Sequence, residues 1–168
     1  MDDGAHVEST AGPPVDPMAV VAAFAAALDS DDFASVGALL EQGVVYRIGE
    51  HKHMGPAAVV ASYAAGSALA RGVFDRVEYA HTLVGLVARS TVRVDFADGL
   101  YANGERLDYH SIQDVTVGGD GLIVSIADLS VPGHREQVDA FMARHGLSRD
   151  VAVPPPTGVT RPRRRGTT

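Results

Sequence analysis

The chain has 168 residues, no cysteine and no tryptophan, and 14 basic against 21 acidic side chains give a formal net charge of −7. That length suits one domain, and a domain of this size buries about two-thirds of its unfolded surface without covalent staples. The missing cysteines exclude disulfides, thiolate metal sites and a cysteine nucleophile, and the longest apolar stretch, Met18 to Leu28, is too short to span a bilayer.

The opening MDDGAHVEST is acidic and lacks the basic and apolar regions of a secretory signal, so a cytoplasmic protein is expected. Residues 1–15, with Gly12-Pro13-Pro14, read as a disordered lead-in. Asp16-Pro17 is an N-cap followed by proline at the first helical position. Val21, Phe24, Ala25 and Leu28 then give one buried helical face. Phe33, Val36, Leu39 and Leu40 mark a second short helix, with Gly43 as its stop. Val44–Ile48 reads as a short strand, and Glu50, His51, Lys52 and His53 as a polar turn. Gly55-Pro56 opens a third helix with Val59, Val60 and Tyr63 inward, ending near Gly72.

Four strand-like runs follow, at about 73–81, 83–96, 106–117 and 121–130. Asp98-Gly99, Asn103-Gly104 and Gly118-Gly119-Asp120-Gly121 separate the later ones as hairpin signals. Pro132 opens a last helix carrying Val138, Phe141 and Met142, closed by Gly146. Residues 148–168 read as a disordered tail with Pro154-Pro155-Pro156 and four arginines in the final eight positions. Without those arginines the chain sums to −11, a poor surface for nucleic-acid phosphates. Helices followed by a run of strands point to an α+β domain over 16–147.

Strand side chains alternate between faces. Asp128 continues the apolar line Leu122, Val124, Ile126, where a carboxylate must be paired or hydrogen-bonded, unless the strand end is wetted by solvent. Arg93 and Asp95 share one face of their strand, opposite Val92, Val94 and Phe96. That pattern fits an antiparallel strand with one wet face. It also fits a strongly curved sheet whose concave face gathers Arg93, Asp95 and Asp128 for acid–base work on a small substrate. Tyr46 offers a phenol to such a site or sits in the core. Tyr109, Ser111 and Gln113 make an oddly polar face on one long strand. His51-x-His53 has no third metal ligand nearby. His81, His110 and His145 read as ordinary histidines. No phosphate loop, nucleophile elbow or dinucleotide fingerprint is present.

The helix, helix, strand, helix, four-strand order resembles the NTF2-like (SnoaL-like) cone fold. Within it, Arg93-Val94-Asp95, Val77-Glu78, His81, Gly104 and Asp128 resemble the limonene-1,2-epoxide hydrolase family, over about Val20 to Met142. The resemblance implies a strongly curved, mostly antiparallel sheet with helices packed on its concave side around a pocket. It implies one-step opening of a small-molecule epoxide to a vicinal diol. Asp128 would be the general base on water, Asp95 the acid on the leaving oxygen, Arg93 the bridge between them, and Tyr46 a holder of the water.

Ile48, Phe74, Tyr109, Ser111, Gln113 and Ile126 would line the substrate pocket. The family's second water ligand, an asparagine, is replaced here by Ile48, so either another polar group, Gln113 or a histidine, takes its place or water is not the nucleophile. The polar Tyr109 and Ser111 point to an oxygenated substrate such as a polyketide intermediate. Attack by the substrate's own hydroxyl, giving a cyclic ether, and proton-transfer cyclisation or isomerisation of a polyketide remain alternatives, as does a binding module without catalysis. No metal or organic cofactor is needed for the hydrolase chemistry. No nucleic acid or membrane partner is expected. A homodimer is, through Val92, Val94 and Phe96 facing away from the site.

Overall fold

A computed structural model describes residues 14–149. The rest of the expected N-terminal lead-in and of the Pro/Arg-rich tail lies outside the described residues. Asp16 opens α1 (Pro17–Asp29) from extended backbone, its carboxylate accepting the Met18 amide at 3.0 Å. Pro17 costs nothing there, because a first-turn N–H has no helical partner to lose. Val21, Phe24, Ala25 and Ala27 are the buried side of this helix. Asp32 caps α2 (Phe33–Ala38) through the Ser35 amide and hydroxyl.

The first strand, β1 (Leu40–Ile48), starts earlier than its apolar run suggests, so Gly43 lies inside a strand instead of ending a helix. The expected polar turn is an edge strand, β2 (His51–Met54), paired antiparallel on β1. After α3 (Pro56–Val73) comes β3 (Arg76–Glu78), a remnant of the longer strand expected there, because the helix runs on to Val73.

The run expected over 83–96 is two strands, β4 (His81–Ala88) and β5 (Thr91–Ala102), joined by a turn at Arg89-Ser90. Asp98-Gly99 is no turn. Both residues sit in the β5 ladder opposite Tyr109 and Asp108 of β6 (Glu105–Val117). The hairpin reverses at Asn103-Gly104, with φ of 50° and 81°, the doubly positive pair that a tight β-hairpin turn requires. The last strand, β7 (Ile123–Leu129), leads into α4 (His134–Arg144).

The seven strands form one sheet in the order β2-β1-β7-β6-β5-β3, with β4 also on β5. All pairings are antiparallel except β1 with β7, which sets Tyr46 beside Ile126. This join carries the early strand to the far end of the meander and places its inner residues next to Asp128. The architecture is a mixed α+β fold with a curved open sheet.

One face of the sheet is greasy, and α1 and α3 cover it. Val92, Val94, Val115, Ile123 and Ile126 are fully buried there with Val21, Phe24 and Val59 of the helices. Each such side chain contributes roughly 1.5–3 kcal/mol by leaving water. The expected homodimer surface is therefore corrected. Val92, Val94 and Phe96 face the helices, not a second copy. Exposed large apolar side chains of the sheet are instead on β4, at Val84, Leu86 and Val87, and on β2, at Met54. No described helix is long and apolar enough to cross a membrane.

Candidate active site

Between the inner sheet face and α1, α3 and α4 lies a cavity of about 860 Å³. Leu28, Phe33, Phe74, Phe96, Leu100 and Met142 make much of its wall apolar. Phe74, at the end of α3, meets the Phe141 ring of α4 at 6.3 Å, so the last helix helps close this wall. Polar groups gather at two places within the greasy surround.

The first is built on β1, β6, β7 and α3. Alternation along β7 turns Ile126 and Asp128 inward, and register sets Asp128 opposite Gln113 of β6. Gln113 is buried in the core, at 3% exposed, and its amide needs partners on both sides. Tyr63 donates to its Oε1 at 2.9 Å, while Gln113 Nε2 donates to the Tyr46 hydroxyl at 3.2 Å. With its oxygen so occupied, Tyr46 directs its own proton to Asp128 Oδ2, at 3.2 Å. The two tyrosine rings stack with centroids 4.9 Å apart and planes 7° from parallel, which holds the relay rigid. The other oxygen of Asp128, Oδ1, is buried and has no hydrogen-bond partner among the described residues.

Burial pushes the Asp128 carboxyl above the usual carboxylate range, against the opposing hydrogen bonds of Gln113 and Tyr46. Burial also raises the Tyr46 and Tyr63 phenols, with the Asp128 charge adding to it, so both stay neutral donors. A cavity-lining carboxylate with one oxygen held by a phenol suits proton abstraction.

The second polar place is at the α1–β5 side. Asp98, on the inner face of β5, lines the cavity and makes no hydrogen bond or ion pair among the described residues. Burial, then the negative charge of Asp29, push its carboxyl up to about 7, with His110 pulling it down and Asp95 pushing it up. Asp29 itself accepts from or pairs with His81 Nδ1 at 2.6 Å. Nearby, Ser67 donates to Asp31 at 2.8 Å, Tyr79 donates to Ser67 at 3.0 Å, and Arg71 holds the other Asp31 oxygen at 2.6 Å. That chain ties the α1–α2 loop to α3. Tyr109, across the ladder from Asp98, is raised by burial and then by the charges of Asp128 and Asp98, so its phenol stands between the two places.

The structure brings together Tyr46, Asp128 and Gln113, and sets Ile48, Phe74, Tyr109 and Ser111 on the cavity wall. Gln113, named with the histidines as a replacement for the asparagine missing at Ile48, has both ends of its amide engaged by Tyr63 and Tyr46 and holds Tyr46 in place. Ile126 is corrected. It is fully buried in the core and does not line the cavity.

Arg93 and Asp95 are corrected as well. They occupy the opposite face of β5 from Val92, Val94 and Phe96 and do not line the cavity. Arg93 donates to both oxygens of Asp114 at 2.7 and 2.8 Å, and Asp95 pairs with His110 Nδ1 at 2.9 Å. Neither meets Asp128. Strand parity explains the error, since a one-residue change of register exchanges the two faces. The inner line is Val92, Val94, Phe96, Asp98. It was legible as an alternation, but reading Asp98-Gly99 as a turn cut it short. Tyr63 was legible only as an inward helix residue; nothing in the sequence tied it to Gln113. Among the described residues no three His, Asp or Glu side chains gather as metal ligands.

No protein-family model matches the chain, and no curated protein matches it in sequence. Solved structures do match. A SnoaL-like protein from Shewanella denitrificans superposes with a TM-score of 0.57 at 12% identity, over 74% of this chain and 97% of that one. The epoxide hydrolase/cyclase-like enzyme SalBIII, connected with pyran ring formation in the polyether salinomycin, gives 0.56 at 14% identity, over 70% and 92%. A limonene-epoxide-hydrolase-like epoxide hydrolase from Mycobacterium tuberculosis gives 0.53 at 21% identity, over 76% and 96%. The fold is the NTF2-like (SnoaL-like) cone. Its solved neighbours include epoxide hydrolase/cyclase-like proteins, at identities that speak for shared architecture.

Proposed function

We propose that the protein is an acid–base enzyme that opens an epoxide in an oxygenated substrate with an oxygen nucleophile, water or a hydroxyl of the substrate itself. The observation that carries this reading is Asp128, a cavity-lining carboxyl held at Oδ2 by the Tyr63–Gln113–Tyr46 relay. Asp128 takes the proton of the nucleophile as the nucleophile's oxygen bonds to the epoxide carbon. The carbon–oxygen bond on the far side breaks, and the departing oxygen takes a proton. With Asp95 outside the cavity, Tyr109 is the neutral donor in the field of Asp128 that suits this second transfer.

A second reading is favoured by the outward Arg93 and Asp95. A single desolvated carboxylate without a bridging arginine also suits abstraction of a proton beside a carbonyl, as in polyketide cyclisation. Incubation with trans-stilbene oxide in heavy-oxygen water separates the outcomes. Diol carrying solvent oxygen supports hydrolysis. A hydroxy-epoxide probe that cyclises without solvent oxygen supports ring closure. Deuterium exchange into a ketone probe with no epoxide consumed overturns the epoxide reading. Asp128→Asn is expected to lower turnover at least about 100-fold, the low end for a positioned general base; full activity in that variant removes Asp128 from the mechanism.

A further inference from the structure

The cavity has an inward carboxyl at each of two separated places, Asp128 held by Tyr46 and Asp98 without a hydrogen-bond partner among the described residues, and only the first is used by the chemistry above. Asp128 faces Gln113 across the β6–β7 ladder, Gln113 faces Val94 across β5–β6, and Asp98 stands four residues beyond Val94 on β5. At about 3.3 Å per strand residue, the two positions are offset by about 13 Å along the strands. Phe96 and Leu100, the inner neighbours of Asp98, line the cavity with Phe74 from α3 and Met142 from α4. A single epoxide ring held at Asp128 does not reach Asp98.

We propose that Asp98 is a binding residue for the remote end of an elongated substrate, one with a hydroxyl or comparable hydrogen-bonding group separated by an apolar span from the group that reacts at Asp128. Substrates lacking that remote group, or of the wrong length, leave a half-buried carboxyl unpaired, a cost that sites built around a polar contact turn into selectivity. The groups facing Asp98 allow this role. Asp29 from α1, Asp95 on its own strand, His110 and Tyr109 from β6, and Tyr79 before β4 surround it electrostatically, and none of them hydrogen-bonds it. Because burial lifts its carboxyl to about 7, Asp98 can donate to an oxygen or accept from a hydroxyl at neutral pH. Asp29 and Asp31, which also line the cavity, are already committed to His81 and to Ser67 and Arg71.

The inference rests on the reading of Asp128 as the reactive end, and its test needs no turnover. Binding of α,ω-alkanediols of graded length is compared by calorimetry with binding of the matching mono-alcohols. Expected is a maximum at the length spanning the two carboxyls, with the diol at least tenfold tighter than the mono-alcohol, and loss of that advantage in Asp98→Leu. Equal binding of diol and mono-alcohol at every length, or an advantage that survives Asp98→Leu, overturns the proposal. If Asp98→Leu does not fold, the carbon-13 carboxyl resonance of Asp98 in the unaltered chain decides. The diol shifts it and the mono-alcohol does not if the proposal holds; identical responses overturn it. A diol preference in a protein that turns over no epoxide would refute the epoxide reading and retain the remote-group contact, whereas turnover without the preference would do the reverse.

Discussion

At Gln113 the site's proton logic is decided by one amide. A phenol on each side fixes its orientation, because Tyr63 can only donate to the oxygen if the nitrogen is to reach Tyr46. Removing it in Gln113→Leu takes away a polar neighbour that holds the Asp128 pKa down and unsettles the Tyr46 donor, so that pKa rises further. The acid limb of the kcat/KM profile is therefore expected to move to higher pH, with kcat reduced by about tenfold or more through lost orientation. An unmoved limb would show that the amide does not influence the base. Asp98 gives a stability prediction of definite sign. Its pKa is raised from 3.8 to about 7 on folding, so the folded chain binds the proton more tightly than the unfolded one. Stability from that group is complete below the unfolded value and is lost as pH rises toward the folded one. Asp98→Asn keeps a neutral side chain throughout. Its unfolding free energy should match the parent at acid pH and exceed it at pH 8 by on the order of 2 kcal/mol once solvent access is allowed for, read as a higher melting temperature only at the higher pH.

At the scale of the element, β5 shows how one parity choice decides what a motif means. Arg93-Val94-Asp95 carries the family resemblance, yet the residue that goes inward is Val94, fully buried. Val94→Asp is expected to unfold the domain by burying an unpaired charge. Arg93→Ala should leave stability little changed, as a solvent-screened ion pair with Asp114, and should leave turnover intact. Chemical denaturation and an activity assay check both, and loss of turnover in Arg93→Ala would return the arginine to the mechanism. The helices were easier to read, since Asp16-Pro17 and Asp32 signal their starts through local capping. β2 and the short β3 were not. Their few residues carry no apolar alternation, and they are strands because neighbouring strands offer them hydrogen bonds.

For the whole molecule, the α+β order, the helix caps, the Asn103-Gly104 hairpin and the acidic Asp128 at the end of an apolar line were legible in the chain. These are local properties, set by propensity and by spacing within one element. The chain also supplied Tyr46 and the polar face of β6, Gln113 included, as site material. Tertiary structure alone decided which face of β5 is inside, and so exchanged Arg93 and Asp95 for Asp98. It decided that Tyr63 joins the relay and that Val92, Val94 and Phe96 are core. The physical reason is that alternation defines two faces without saying which is covered. That choice belongs to the helices packed across the sheet and to the parallel β1–β7 join, contacts between residues far apart in the chain.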